Sequence, residues 1–248
     1  AYLQIDIGLS PAEVIRISED VLDRNRHLLA DGDDYWLGQR ISRGVKAVGD
    51  EGWDHTGPAV IVECQPLPFR ERAQYYRDGL KVIVPSVRRT PPQNLSPRTK
   101  THNYLNLVMA ELEVHAQNPS AWAVLLDYNG NLCEGLGSNI FIVKNEELFT
   151  PKAQYVLAGV SRGTAIELAD EIGLRCEERD LDLYDAYTAD EIFVSSTSFC
   201  ICPVSSINGN AVAEESIPGP ITGRLLDAYS KLVDCNIADQ YLKHLHTE

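Results

Sequence analysis

The sequence predicts a mixed α/β (α+β) protein, in which a small N-terminal α/β domain precedes a larger, strand-rich domain. Three features indicate this class. Four segments carry apolar residues at helical spacing, and short runs rich in β-branched residues lie between them. A stretch with three prolines in eight residues, 90–97, separates the two parts of the chain. The 248 residues, 44% of them hydrophobic and 23% charged, are enough for two modest domains with packed cores.

The small domain is predicted over residues 1–89, and it begins with a helix. Ser10 is the expected N-cap, Pro11 takes the first helical position, and Glu13 completes a capping box. Three short segments after this helix are predicted as strands because they alternate in polarity or are rich in β-branched residues: YWLGQRISRG, AVIVECQPL and KVIVPSVRR. Residues 90–98 then form the predicted linker between the domains.

The large domain is predicted over residues 99–248. A helix in NYLNLVMAELEVHAQN is followed by a hairpin that turns at Asn129-Gly130, a strong signal for a tight turn. A second hairpin is predicted in NIFIVKNEELFTP. The remaining predicted elements are a helix that ends at Gly173, the strands DEIFVSST and CICPVSSING, and a last helix in GPITGRLLDAYSKLVD.

Charge and cysteine usage restrict the possible partners and the compartment. A formal net charge of −14 argues against nucleic-acid binding, which needs a basic face. No apolar run approaches the roughly 18 residues of a membrane span. The six cysteines form neither a CxxC pair nor a cluster with zinc spacing, so no metal site is predicted. Reduced, mostly buried thiols are expected, and with them a cytoplasmic protein.

Two short stretches carry the candidate chemistry. In CEGLGSNIF, Glu134 lies beside glycines and before an apolar run, so it is either a solvated loop acid or a buried acceptor that faces a ligand. In GVSRG, Ser161 matches the GxSxG pattern of a serine hydrolase before a predicted helix. The same geometry has a second use, because backbone N–H groups at a helix start bind phosphate. Both interpretations of each stretch remain open on local pattern.

Six separated segments, in order, resemble one family. They are RTKTHNYLN, CEGLGSNIF, LFTP, LAGVSRG, ADEIFVSSTS and GPITGRLL. Their order and spacing resemble the class IV, or fold-type IV, aminotransferases that depend on pyridoxal 5'-phosphate, the group with branched-chain, D-amino acid and (R)-amine aminotransferases. The resemblance covers most of the chain and is strongest from residue 98 onward.

The resemblance implies roles for residues around the cofactor ring. Lys100 is expected to form the Schiff base with pyridoxal phosphate, and a lysine amine is the usual covalent partner of this cofactor. Glu134 is expected to face the pyridine nitrogen, and Asn139 to steady the turn that follows. Tyr104 matches a tyrosine that approaches the ring hydroxyl in branched-chain enzymes.

The resemblance also implies a phosphate site and a substrate site. Val160 and Ser161 are expected to donate N–H groups to the phosphate, Leu157 to pack on the ring, and Thr197 to supply a second hydroxyl. The backbone of Ser198 is expected to meet the substrate carboxylate. A further candidate comes from strand alternation alone: Arg43, in ISRG, is expected either to meet that carboxylate or to be an exposed or salt-bridged arginine.

The implied function is transfer of an amino group between an amino acid or amine and a 2-keto acid. The implied assembly is a homodimer or a higher homo-oligomer. The alternatives are a lyase of the same fold, similar to aminodeoxychorismate lyase, and a serine hydrolase that uses Ser161. Family members usually carry about fifty or sixty further residues at the N-terminus, which hold strands of the small domain and an arginine that binds the phosphate. We expect the chain printed here to lack them.

Overall fold

A computed structural model describes residues 2–30, 32–45, 57–212 and 216–246. The chain divides into two compact units, Ala1–Pro68 and Phe69–Glu248. In the part of the chain that the structure describes, no helix is long and apolar enough to cross a membrane.

The described residues of the first unit form one helix and one antiparallel pair of strands. Helix α1 (Pro11–Asn25) continues into a short 3-10 turn, and strands β1 (Tyr35–Ser42) and β2 (Ala59–Pro66) pair antiparallel. The predicted capping box is confirmed: the Glu13 N–H donates to Ser10 Oγ at 3.3 Å, and the Ser10 N–H donates to the Glu13 carboxylate at 2.8 Å.

The second unit is built on a large sheet flanked by helices. Its elements, in chain order, are α2 (Phe69–Asp78), β3 (Leu80–Ile83), α3 (Leu105–Gln117), β4 (Trp122–Leu126), β5 (Leu132–Gly135), β6 (Ser138–Lys144), β7 (Glu147–Pro151), α4 (Val160–Glu171), β8 (Cys176–Arg179), α5 (Leu183–Tyr187), β9 (Glu191–Ser196), β10 (Cys200–Ile207), β11 (Asn210–Ala211), α6 (Pro220–Leu232) and α7 (Ile237–Leu242). The predicted hairpins β4–β5 and β6–β7 and the four predicted helices are confirmed.

The strand pairings close a circuit. Strand β10 pairs with β3, and β4, β5 and β6 follow in order, while β9 joins β6 back to β10. The contacts β10–β3 and β3–β4 are parallel, and the other four contacts of the circuit are antiparallel. Strands β5, β6 and β9 therefore lie side by side and bring their residues to one region of the sheet.

The compact units divide earlier along the chain than the predicted linker at 90–98. Residues 69–89 belong to the second unit because α2 packs against α7 and β3 is a strand of the large sheet. Residues 90–98 contain no helix or strand and lie within the second unit, and their role as a linker stays a prediction.

Helix α3 is fixed against the sheet by a small apolar cluster. Leu107, Ala110 and Val114 on the helix pack with Ala121, Ala123 and Leu125 at strand β4. This packing sets the position of the helix start, and with it the segment that carries Lys100.

Candidate active site

A cavity of about 340 Å³ lies within the second unit. This volume is in the range of small-molecule sites. Eight of the predicted site residues line it: Lys100, Tyr104, Glu134, Asn139, Leu157, Val160, Ser161 and Thr197. Strands β5, β6 and β9 and the starts of helices α3 and α4 thus bring together residues almost a hundred positions apart in the sequence.

Lys100 and Tyr104 lie on one side of the cavity. Tyr104 immediately precedes α3, and Lys100 Nζ donates to the Tyr104 hydroxyl at 3.3 Å. The contact brings together an amine and a phenol, and both are groups that can act as a general acid or base.

Glu134 is a buried acceptor and not a loop acid. Glu134 lies on strand β5 and is only 4% exposed. Oε1 accepts from Arg89 Nε at 2.8 Å, and Oε2 accepts from the Leu157 N–H at 2.9 Å. Burial raises the pKa of the Glu134 carboxyl, and the Arg89 guanidinium and the Leu157 N–H oppose this rise by stabilising the charged form.

Asn139 holds the same peptide segment from the neighbouring strand. It is the register partner of Glu134, and its Nδ2 donates to the Leu157 carbonyl at 3.0 Å. The backbone N–H and the backbone carbonyl of Leu157 are therefore both fixed by side chains from β5 and β6. Gly159 must stay small here, because a Cβ at this position would lie 2.5 Å from Asn139 Oδ1.

The start of helix α4 has the properties of an anion site. Gly159 is its N-cap and provides no side-chain bond, and the first turn has no acidic residue. The free N–H groups and the helix dipole therefore face the cavity without a competing anion. Ser161 adds a hydroxyl, which lies 3.4 Å from the Tyr229 hydroxyl.

Two buried polar atoms at the cavity have no partner among the described residues: Ser195 Oγ and Arg162 Nε. Arg162 Nη2 is satisfied by the Pro151 carbonyl and the Glu178 carboxylate, each at 2.9 Å. Buried hydroxyl and guanidinium groups are rarely left unpaired.

Comparison with known proteins gives the family. The family model for class IV aminotransferases matches residues 1–207. The chain belongs to this family. It is 34% identical over 244 residues to the branched-chain-amino-acid aminotransferase of Escherichia coli K12, and the match covers 95% of this chain and 74% of that protein.

Solved class IV aminotransferase structures have the same fold. A crystal structure of the Escherichia coli branched-chain enzyme superposes with a TM-score of 0.84 at 29% identity, over 93% of this chain and 74% of that one. The branched-chain enzyme of Thermobaculum terrenum, solved in its PLP form, gives 0.79 at 27% identity over 98% and 76%. The mixed α/β fold of type IV and the assignment as an enzyme are thereby confirmed.

The serine hydrolase alternative is not favoured. Membership of the class IV aminotransferases indicates another chemistry, and the hydrogen bond recorded for Ser161 Oγ involves a tyrosine and not a histidine. The lyase alternative is also not favoured by the family and its relatives.

Two predicted site residues do not line the cavity. Ser198 follows Thr197, but its Oγ accepts from Arg72 Nη1 at 2.7 Å and its carbonyl accepts from the Tyr241 hydroxyl. Arg43 lies in the first unit, after β1, and donates to the Leu3 carbonyl. The roles of Ser198 and Arg43 stay predictions.

Sequence reasoning missed several polar residues of the cavity, among them Arg89, Arg162 and Ser195. Arg89 precedes the proline-rich segment and has no local pattern that indicates burial. Arg162 and Ser195 lie inside quoted motifs, so their motif positions were a signal that could have identified them.

Proposed function

We propose that this class IV aminotransferase transfers an amino group between an amino acid or amine and a 2-keto acid, with pyridoxal 5'-phosphate in the cavity and covalently bound through Lys100. The observation that carries the proposal is the meeting of Lys100, Glu134 and the start of α4 in one cavity. A lysine amine, a buried carboxylate and an anion site match the aldehyde, the ring nitrogen and the phosphate of this cofactor.

The residues present fit the cofactor from end to end. The N–H groups at Val160 and Ser161, with the hydroxyls of Ser161 and Thr197, would hold the phosphate. Leu157 offers an apolar side chain for the ring.

When bound, pyridoxal phosphate supplies an electron-accepting ring that stabilises the negative charge left when an amino acid loses its α-proton. The chain's part is to position and to move protons. The Lys100 amine, once the substrate's amino group has displaced it from the cofactor, would be the base that takes that proton, and the Tyr104 hydroxyl lies 3.3 Å from Lys100 Nζ to orient it. The Glu134 carboxylate would keep a proton on the ring nitrogen, because an anion beside that nitrogen favours its charged form.

For the substrate, we propose a branched-chain amino acid and its 2-keto acid, supported by the activity for which the similar proteins are named. The backbone of Ser198 is the proposed contact for the substrate carboxylate. A panel of L-amino acids, D-amino acids and (R)-amines, each with several 2-keto acids, tests this choice. Activity confined to D-amino acids or (R)-amines would contradict it.

We further propose a homodimer in the cytoplasm. Helix α3 supports the dimer, because Leu105 and Leu112 on it are 68% and 59% exposed and offer an apolar surface for a second copy. Six free cysteines support a reducing compartment. Light scattering after size-exclusion chromatography measures the assembly, and a monomer that is fully active would exclude the proposed dimer.

Borohydride reduction followed by peptide mapping tests the covalent attachment. The label is expected on Lys100 and is expected to disappear in Lys100→Ala. Lys81→Ala is the matched control, because Lys81 is an exposed residue on β3, outside the cavity. A phosphopyridoxyl label on Lys81 or Lys144 in the unaltered chain would overturn the assignment of Lys100.

A further inference from the structure

Arg89 is the closest charged partner of Glu134. It lies between β3 and α3, and its Nε donates to Glu134 Oε1 at 2.8 Å. The two side chains are 12% and 6% exposed, so water screens this pair only weakly. The pair joins residues 45 positions apart in the sequence.

Asn106 fixes the segment that carries Arg89. Its Oδ1 accepts from the Thr90 N–H at 3.0 Å and from Arg89 Nη1 at 3.5 Å, and its Nδ2 donates to the Arg88 carbonyl at 2.7 Å. The Arg89 N–H donates to the Leu126 carbonyl at the end of β4, at 2.9 Å. Hydrogen bonds therefore fix both the backbone and the guanidinium group of Arg89.

The position of Asn106 connects this pair to the proposed covalent lysine. Asn106 is in the first turn of α3, two residues after Tyr104 and six after Lys100. It is the last residue of the RTKTHNYLN segment. Neither the sequence nor the proposed function supplies a role for Asn106. One short stretch of chain thus positions both Lys100 and the partner of Glu134.

A carboxylate at this depth needs compensation to stay ionised. Burial alone favours the neutral acid, and a neutral acid cannot hold a proton on a ring nitrogen by charge. The cations that act on Glu134 are Arg89 and Lys100, and its titratable neighbour on strand β5 is Cys133. Burial raises the pKa of Cys133 to about 12, so it stays neutral at physiological pH. The proposed covalent bond through Lys100 would alter its amine, which leaves Arg89 as the permanent cation among these groups.

We propose that Arg89 is a positioning residue of the active site: it keeps Glu134 ionised and fixes its carboxylate toward the cavity, while Asn106 holds Arg89 in place. The effect on Glu134 is a property of the chain itself. The effect on the cofactor's ring nitrogen rests on the proposed function.

The first experiment measures thermal stability against pH in the chain without added cofactor. Arg89→Met removes the charge and keeps the length of the side chain, and Arg88→Met is the matched control because Arg88 is the exposed neighbour. Without its partner, Glu134 has a folded-state pKa raised above its unfolded value. Its burial then adds no titration-linked cost at low pH, where the acid is neutral in both states, and it destabilises the fold increasingly as the pH rises from the unfolded-state pKa to the folded-state pKa. We expect Arg89→Met to lower Tm by about 10 °C at pH 8 and by much less at pH 5.

Two further variants keep this test decisive. Adding Glu134→Gln to Arg89→Met removes the unpaired acid. The double variant is therefore expected to be more stable than Arg89→Met at pH 8, and the pH dependence that Glu134 contributes is expected to disappear. Arg89→Lys keeps the charge and is expected to restore most of the parent profile, which also covers the case in which Arg89→Met does not fold. A Tm loss that is equal at both pH values and not relieved by Glu134→Gln would overturn the proposal.

The second experiment follows the absorbance of bound pyridoxal phosphate against pH. In Arg89→Met the apparent pKa of the ring nitrogen is expected to fall by about one unit or more, a tenfold change in proton affinity. Asn106→Ala is expected to give a smaller fall, and Arg88→Met none. An unchanged titration in Arg89→Met, with the cofactor still bound through Lys100, would overturn the role of Arg89. A chain that binds no cofactor at Lys100 would refute the proposed function instead, and the stability experiment would still decide whether Arg89 keeps Glu134 ionised.

Discussion

Replacing Glu134 by glutamine removes the negative charge of this residue and keeps the shape of its side chain. Glu134 Oε1 accepts from Arg89 and Oε2 from the Leu157 N–H, so both oxygens meet donors. Glutamine has one oxygen and one NH₂ group, and it can accept only one of these two bonds. The variant therefore loses the negative charge and also places one donor against another.

The effect on the rate is expected to exceed the effect on cofactor binding. A negative charge beside the ring nitrogen matters most when the substrate carbon gains negative charge, so its loss falls mainly on the transition state. Removing one such electrostatic partner costs about 3 kcal/mol, which corresponds to about a hundredfold in rate at 1.36 kcal/mol for each factor of ten.

Single-turnover kinetics with a good amino donor, at saturating pyridoxal phosphate, measures this directly. Glu111→Gln is the control, because Glu111 is another buried glutamate and lies on α3 outside the cavity. If Glu134→Gln reacts at the parent rate with an unchanged cofactor spectrum, Glu134 has no role at the ring and the argument from its burial is refuted.

Three other variants test separate parts of the second unit. Ser161→Ala is expected to weaken cofactor binding by about 1 to 3 kcal/mol, the scale of a hydrogen bond to a charged group, and excess cofactor should restore activity. Equilibrium dialysis measures the cofactor affinity. An unchanged affinity would show that Ser161 is not part of the phosphate site. Gly159→Ala places a Cβ 2.5 Å from Asn139 Oδ1 and is expected to lower cofactor affinity, whereas Gly163→Ala on the same helix meets nothing within 4 Å and should raise stability slightly. Equal cofactor affinities for the two glycine variants would contradict the proposed importance of the hydrogen bond from Asn139 to the Leu157 carbonyl. Glu191→Gln is expected to cost about 1 to 3 kcal/mol in urea unfolding, because the Glu191 carboxylate accepts from the Ile221 and Thr222 N–H groups, both at 2.7 Å, at the start of α6. The exposed Glu171→Gln is its control, and an equal unfolding midpoint for the two would show that this buried cap adds no stability.

Elements with a strong local signal were predicted correctly, and elements that depend on a partner were missed. The capping box at Ser10 and the turn at Asn129-Gly130 carry their own instructions, because each uses side chains or backbone freedom within a few residues. Strand β8, Cys176–Arg179, has a polar sequence and is a strand because it pairs with β7. Helix α2 buries Phe69, Ala73 and Tyr76, a spacing that the sequence contains but that its many charges obscure.

The sequence by itself determined the family and the residue types of the cavity, because six ordered motifs survive in the chain and each motif is local. Only the tertiary structure decided how these residues meet. The contacts of Glu134 with Arg89 and Leu157, and of Asn139 with Leu157, span 45, 23 and 18 positions. Such contacts depend on which strands pair and how the sheet closes, and no local pattern fixes either. That is why Glu134 could be singled out in the sequence while Arg89, its closest charged partner, could not.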